Sequence, residues 1–536
     1  MEPAPILTTP TPSPLASEVG FDIGLVMAGA VSAGAYTAGV INFLFEALDE
    51  WNESPWATLK EGGTGCPWSV RLKTMAGASA GGMCAALTAL AALKGDAKTF
   101  YDAWVKKIDI EQLLDASDLM PTQRLLNLSS ILNCDTLDRI ARDAIKLPET
   151  PRWPRWLGVG QEFNFYLTLT NLNGLTYSVP QIGASSQRFT DHADRIHFRL
   201  RPRAITGAPP SPELCELPAN DATYPGWAIL REAALATGAF PIALASRTLT
   251  FDNAYFDKRL WYTGAQRPLF VERAALPTLK AGEMAKYRFV DGGVTDNKPL
   301  ELTRRALFEA GQTSLPRGDT HARQAVLMVD PFPSEDKDGA YQEIEAKLGS
   351  LVAHLYQALR NQSRFKVDEL LNALDLNVSS RFAIAPNRRD AQDRPITPAL
   401  ACGTLGAFGG FLFEGFRQHD YDLGRRNCQY FLQQWFVLSE KNPLFRHWND
   451  TQCQEFRIKK SLAQLHHEQE TLDKRIHEGA AAEEIRALQA VVADPYRRNE
   501  NQEYLLPILP LRPHSKLTRP ISNPDWQAAR LLPKRE

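Results

Sequence analysis

The sequence predicts an α/β protein, and three stretches carry this prediction. Two short apolar segments, 21–27 and 70–76, each run through small residues directly into a helical pattern. A third apolar segment, 287–290, ends at Asp291 and is followed by a helical pattern over 300–310. Strands that alternate with helices favour a central, mostly parallel sheet covered by helices.

Length and composition limit the classes that remain open. A chain of 536 residues is long for one ordinary core, so we expect two or more lobes. The net charge of −2, with no basic cluster among aromatics, argues against nucleic acid as a partner. Seven scattered cysteines without C-x-x-C spacing predict reduced thiols, no zinc site and a cytoplasmic protein. The composition of residues 1–20 predicts a flexible tail rather than a signal peptide.

The first strand, 21–27, leads into small residues at 28–34 (AGAVSAG) and then into an amphipathic helix to about Trp51. Small residues between a strand and a helix can form a cradle of backbone amides for a phosphate or an oxyanion. Neither the dinucleotide fingerprint nor the P-loop pattern is present. Close packing of helix on strand explains the same residues, so both interpretations stay open.

The second strand, 70–76, leads into Gly77-Ala78-Ser79-Ala80-Gly81 and then into an uncharged helix over 83–93. Gly-x-Ser-x-Gly between a strand and a helix is typical of a nucleophile elbow. Glycines permit the sharp turn, and the helix N-terminus favours developing negative charge. The alternatives are a tight structural turn and a membrane-spanning helix over the uncharged stretch 75–93.

The third strand, 287–290, ends in Asp291-Gly292-Gly293, and we expect Asn297 to cap the helix that follows. A carboxylate at the carboxyl end of a strand occupies a position that often carries function in open α/β sheets. An ordinary Asp-Gly turn is the alternative.

The remaining segments predict further elements around these three. Between them we expect short helices over 97–147, a strand over 161–171, a helix over 228–239 and a strand over 325–330. Two polar segments are predicted to be excursions from the sheet, 181–220 and 250–282. Beyond residue 340 the pattern predicts helices over 341–374, 411–416 and 421–436, a helical hairpin or arm over 452–492, and a strand over 381–385.

Together these blocks resemble the patatin-like phospholipases, over roughly residues 21–335. Gly77–Gly81 resembles the family's nucleophile elbow. Asp291-Gly292-Gly293, with Asn297 and Pro299, resembles its D-G-[GA]-x-x-x-N-x-P block. Residues 234–241 (ALATGAFP) resemble the small-residue segment before its pocket. The family's cradle, G-G-G-x-R/K-G, is altered here, because two glycines and the basic residue are missing.

The resemblance implies a three-layer fold with a hydrolase domain over 21–335 and a mainly helical extension over 336–536. It also implies a Ser–Asp dyad, in which Ser79 attacks an acyl ester and Asp291 accepts and returns the proton through an acyl-enzyme. Backbone amides of Gly29, Ala30 and Val31 would hold the oxyanion.

The same resemblance implies a phospholipid or another acyl ester as substrate, and any membrane contact would be peripheral. No cofactor or metal is implied, and no calcium requirement is expected because no D-x-D-x-D-G loop occurs. Two other hypotheses stay open. One is a catalytically weak lipid-binding or regulatory protein. The other is a Ser-His-Asp α/β-hydrolase, although that fold places several strands before its elbow and only 21–27 precedes it here.

Overall fold

The computed structural model describes most of the chain from residue 20 to residue 522. The described ranges are 20–53, 68–108, 113–114, 130, 132–158, 162–181, 183–203, 213–241, 243–256, 258–262, 268–272, 283–308, 315–316, 318–332, 381–390, 394–403, 407–446 and 448–522. The expected tail at 1–20 therefore lies almost wholly outside them, and so do the helices expected over 341–374.

Strands and helices alternate over residues 20–94, as the pattern predicts. The strands are β1 (Gly20–Met27), β2 (Ser69–Gly77), β3 (Phe163–Gln181), β4 (Ala184–Arg201), β5 (Leu214–Pro218), β6 (Arg247–Asp252), β7 (Lys258–Tyr262), β8 (Pro268–Glu272), β9 (Met284–Asp291), β10 (Gln324–Val329), β11 (Arg381–Ile384), β12 (Val437–Ser439) and β13 (Leu505–Pro507). The helices are α1 (Gly34–Asn52), α2 (Ala80–Lys94), α3 (Lys98–Tyr101), α4 (Asp135–Ala144), α5 (Pro225–Thr237), α6 (Leu300–Ala306), α7 (Gly409–Leu412), α8 (Glu414–Gln434), α9 (Asp450–Phe456), α10 (Leu462–His477) and α11 (Ala482–Ala493). In the described residues, β3 to β5 and β6 to β9 follow one another without an α-helix between them.

A mixed sheet organises the described residues. Its strand order is β11-β10-β1-β2-β3-β4-β5, and β9 pairs with both β3 and β6. The strands from β11 to β3 run parallel, whereas β4 and β9 pair with β3 in the antiparallel sense. The central, mostly parallel sheet is therefore confirmed.

Helices cover both faces of this sheet, because successive side chains of a strand point to opposite faces. Ile23, Leu25 and Met27 of β1 join the main core, which also contains the apolar residues of α1 and α2. Val26 points the other way and packs with Leu307, at the end of α6. The result is the three-layer arrangement that the resemblance implies.

The expected excursion over 181–220 is corrected by the structure. Residues 184–201 form β4, which pairs with β3 over most of its length, and 214–218 form β5 beside β4. Ile196, Phe198 and Leu200 are buried on one face of β4. The segment appears polar in sequence because charged and polar residues alternate with these apolar ones. In contrast, β7 and β8, inside 250–282, form a separate two-stranded sheet.

The described part of the C-terminal region packs against the first part of the chain. Strand β11 extends the central sheet beside β10. Helix α8 is one continuous helix, where we expected two, and it lies along α1. Arg425 of α8 donates to both carboxylate oxygens of Glu46, at 2.8 and 3.0 Å. Helix α1 is buried nearly all round, so the sheet alone could not cover it.

This burial also decides the question of a membrane-spanning helix. The helical stretch 31–52 is long and apolar enough to cross a membrane, but 89% of the residues in its apolar 18-residue window are buried inside the protein. The second candidate, 75–93, is divided between strand β2 and the 15-residue helix α2.

The expected hairpin over 452–492 is present as α10 and α11, on which His466 and His467 are exposed.

Leu423 tests whether α8 belongs to the main core. Its side chain is fully buried, so Leu423→Ala should lower the free energy of unfolding by about 2–5 kcal/mol. Tyr430→Ala, on an exposed face of the same helix, should change it by less than about 0.5 kcal/mol. Urea denaturation followed by circular dichroism measures both. Equal, small effects would show that α8 does not share the core.

Candidate active site

The three predicted stretches meet at one edge of the central sheet. Strands β1 and β2 end side by side, with Met27 paired to Gly77. The long β3 continues past this edge, and its residues 169–171 pair with β9, which runs in the opposite direction and ends at Asp291 beside Leu169. Asp291 therefore reaches the site from an antiparallel strand.

Ser79 lies on a strained elbow between β2 and α2. Its φ of 52° and ψ of −128° are rare for a residue with a side chain, and such values persist only where the surroundings impose them. The Ser79 amide donates to Thr237 Oγ1 at 2.9 Å, and that hydroxyl donates to the carbonyl of Thr168 at 2.7 Å. A Cβ at Gly81 would collide with the carbonyl of Met27, which explains the second glycine of the motif.

The hydroxyl of Ser79 donates a hydrogen bond to Asp291 Oδ2 at 2.6 Å. The other carboxylate oxygen, Oδ1, accepts from the amide of Gly293 at 2.7 Å. The main chain of Asp291 is held as well, because its carbonyl accepts from Thr170 Oγ1 at 2.8 Å. Ser79 and Asp291 are 6% and 3% exposed, so little water competes for the bond between them.

The three predicted cradle residues are not equivalent. The Gly29 amide donates to the carbonyl of Asn297 at 3.2 Å, so it does not point freely into the site, which corrects the expectation for Gly29. Asn297 accordingly does not cap α6, whose N-cap is Pro299. Among the described residues, no hydrogen-bond acceptor is recorded for the amides of Ala30 and Val31. Val31 has a φ of 50°, which is strained for a β-branched residue.

Ala30 and Val31 line a small cavity together with Ser79 and Asp291. The described part of the chain therefore places two amides, a hydroxyl and a carboxylate around one space. This is the set of groups that an acyl-transfer site requires.

No described histidine lines this cavity or the larger one beside it. His197, on β4, stacks against Tyr166 with ring centroids 4.4 Å apart and contacts Asn164 Oδ1 at 2.9 Å. Burial, reinforced by the neighbouring Arg199, lowers the pKa of His197 to about 3. The geometry of the described residues therefore does not support a Ser-His-Asp triad.

A larger apolar cleft opens directly from Ser79. It encloses about 620 Å³ including its open mouth. A second apolar cavity lies behind it, under α4, and is bordered by Ala141 and Ala144. The two cavities are adjacent because five residues line both, namely Met83, Trp104, Ile108, Leu137 and Leu235.

Nearby cations are neutralised by carboxylates. Arg247, at the cleft, donates to Asp138 at 2.6 Å, and the buried Lys298 donates to Asp330. Neither is an obvious substitute for the basic cradle residue that is missing from the sequence.

Among the described residues, no group of three or more side chains could hold a metal ion.

Sequence patterns missed two residues that support this site, Thr237 and Ser32, and the contact made by a third, Asn297. Thr237 lies inside the small-residue segment 234–241, but nothing in that segment marks its hydroxyl as the support of Ser79. The contact of Asn297 with Gly29 and the contacts of Ser32 join residues hundreds of positions apart. No local spacing could have indicated them.

The family model described as patatin-like phospholipase matches residues 25–304, just over half of the chain. The uncharacterized protein y4iI of Sinorhizobium fredii (strain NBRC 101917 / NGR234) is 33% identical over 483 residues, which cover 81% of this chain and 67% of that protein. The crystal structure of VipD from Legionella pneumophila covers 89% of this chain and 81% of VipD at 12% identity and a TM-score of 0.26, which is too low to support an inference.

Thr237 offers a test of how the elbow is held. Thr237→Val keeps the shape but removes the acceptor for the buried Ser79 amide, so the free energy of unfolding should fall by about 1–3 kcal/mol. Thr237→Ser keeps the hydroxyl and should therefore retain most of the wild-type free energy of unfolding. Thr248→Val, at an exposed position of β6, is the matched control and should change it by less than about 0.5 kcal/mol. Thermal and urea unfolding report all three; a Thr237→Val protein as stable as wild type would exclude this support.

Proposed function

This chain belongs to the patatin-like phospholipase family, and we propose that it hydrolyses acyl esters of lipids through Ser79 and Asp291. The observation that carries the proposal is the 2.6 Å hydrogen bond from Ser79 Oγ to Asp291 Oδ2, at a strained elbow beside two available amides. A nucleophile within hydrogen-bonding reach of a fixed base is the recognisable signature of covalent catalysis.

In the proposed first step, Ser79 Oγ attacks the carbonyl carbon of the ester while its proton passes to Asp291 Oδ2. The carbonyl oxygen becomes an oxyanion, and the amides of Ala30 and Val31 donate to it. A donor of this kind contributes about 3 kcal/mol of transition-state stabilisation in comparable hydrolases. Asp291 then returns the proton to the leaving alcohol, which departs as the acyl-Ser79 ester forms.

In the second step, water attacks the acyl-Ser79 carbonyl and gives its proton to Asp291. Collapse of this intermediate releases the fatty acid, and the proton returns to Ser79 Oγ. The carboxylate suits both steps because Gly293 holds one of its oxygens while the other faces the serine. No histidine and no metal ion takes part in this scheme.

We propose that the apolar cleft beside Ser79 receives the acyl chain. The cleft and the second cavity are adjacent and share apolar side chains, so together they mark a path from the nucleophile to the underside of α4. Apolar walls select a hydrocarbon chain, since each buried methylene contributes about 0.8 kcal/mol. The proposed substrate is thus a phospholipid or another long-chain acyl ester, met at a membrane surface by a cytoplasmic, peripheral enzyme.

A fluorophosphonate probe tests the nucleophile directly. Wild-type protein should be labelled and should hydrolyse p-nitrophenyl esters, whereas Ser79→Ala should abolish both. Asp291→Asn should lower turnover at least about 100-fold, because an amide cannot accept the proton. Ser178→Ala, on the outer half of β3 away from these groups, should behave as wild type.

Each other result of this experiment supports a different hypothesis. Folded wild-type protein that neither labels nor turns over would favour the catalytically weak lipid-binding protein. Loss of turnover on replacing a histidine, with Asp291→Asn active, would favour the triad.

Ala141 tests the path of the acyl chain. Ala141→Phe should fill the cavity under α4, so kcat/KM should fall steeply for long-chain esters and little for short ones. The difference should approach fourfold for each methylene that loses its place. A series of p-nitrophenyl esters from acetate to palmitate measures this, with Ala487→Phe on the exposed side of α11 as control. An unchanged chain-length profile would rule out this path.

A further inference from the structure

A segment of the C-terminal region, residues 407–410, contacts Ser32, which lies directly after the cradle amide of Val31. Ser32, the residue after Val31, donates through Oγ to the carbonyl of Ala407 at 2.5 Å. The same oxygen accepts from the amide of Gly410 at 3.0 Å. The two partners are 375 and 378 residues away in the chain, and all three residues are buried.

These bonds lie where the backbone needs external support. Val31 has a φ of 50° and Ala407 a φ of 74°, both in the left-handed region that favours glycine. A cradle made of successive glycines could adopt such angles without help. Here Ala30 and Val31 stand in the second and third glycine positions, so the contacts of Ser32 with a neighbouring segment hold the adjacent Val31 amide in place.

The segment that carries Ala407 and Gly410 is itself held firmly. The buried Arg417 donates to the carbonyl of Gly410 at 2.6 Å and to that of Val105 at 3.0 Å. Asp420, fully buried, accepts from the amides of Ala401 and Cys402 at 2.8 and 2.9 Å. A Cβ at Gly410 would collide with Cys402 Sγ, so the close packing there requires glycine.

The same segment also forms part of the cleft beside Ser79. Phe408 and Phe411 line that cleft, and Phe408 meets Phe240 edge to face with ring centroids 5.4 Å apart. One short stretch of chain therefore contacts both Ser32, which directly follows the cradle amide of Val31, and the space proposed for the acyl chain.

We propose that residues 407–411 complete the active site, with Ser32 as the positioning residue that couples them to the cradle and Phe411 as a wall of the acyl-chain cleft. This inference rests on the proposed function, because it assigns the cradle to the oxyanion. It predicts that the stretch 21–335 does not contain the whole site, although the family model ends at residue 304.

The test compares two variants that each remove a hydroxyl joining the first helical region to the C-terminal region. Ser32→Ala removes the bonds to Ala407 and Gly410. Tyr36→Phe removes the bond from Tyr36 Oη to Asn427 Oδ1, which is 3.0 Å long and does not involve the cradle. Ser32→Ala should lower kcat and the rate of fluorophosphonate labelling at least about tenfold, with KM nearly unchanged, because the oxyanion donors lose their position. Tyr36→Phe should keep the kcat of wild type, and its melting temperature should be similar to that of Ser32→Ala.

Phe411→Ala provides a second measurement that does not depend on Ser32→Ala folding, since Phe411 is only half-buried. It should raise KM for long-chain esters several-fold while short-chain esters are hydrolysed as by wild type. The inference is overturned if wild type is labelled and Ser32→Ala keeps its kcat, if Tyr36→Phe loses as much activity as Ser32→Ala, or if Phe411→Ala leaves the chain-length profile unchanged. Wild-type protein that is never labelled would instead refute the proposed function.

Discussion

The hydrogen bond between Ser79 and Asp291 is the constraint on which the rest of the site depends. It joins a hydroxyl at the end of a parallel strand to a carboxylate at the end of an antiparallel one, 212 residues later. The two meet because β3 serves both neighbours in succession: its residues 164–167 pair with β2, and its residues 169–171 pair with β9. A β3 that ended at Leu167 would leave β9 without a partner at this edge. The continuation of one strand past its pairing with β2 thus brings nucleophile and base together.

Two positions in the site carry unfavourable backbone angles, and each is supported from outside its own stretch. The amide of Ser79 rests on the hydroxyl of Thr237, which is in turn bonded to β3. Val31 is followed by Ser32, whose hydroxyl is bonded to the segment at 407–410. Strained residues remain in place only when such contacts over-determine them. The departure of the cradle from consecutive glycines is therefore accompanied by a new support.

The C-terminal region contributes to this support because the first helix is buried on nearly every side. The sheet can cover one side of α1, and α8 covers another, with Glu46 and Arg425 paired at the edge of the contact. Docking of α8 carries the preceding turn, with Phe408 and Phe411, onto the cleft beside Ser79. A hydrophobic requirement of the fold and a geometric requirement of the site are thus met by the same packing.

By itself the sequence determined the local elements: β1, β2 and β9, the elbow at Ser79, the carboxylate at Asp291 and the altered cradle between β1 and α1. These follow from periodicity and from residue types that few backbone conformations accept, both of which act over short stretches of chain. Only the tertiary structure decided that β9 runs antiparallel, that 184–201 joins the sheet, that the Gly29 amide is taken by Asn297, and that Ser32 is held by residues 407–410. Those outcomes depend on sheet register and on packing between distant segments, and no short-range pattern records which distant partner a backbone amide or a hydroxyl will find.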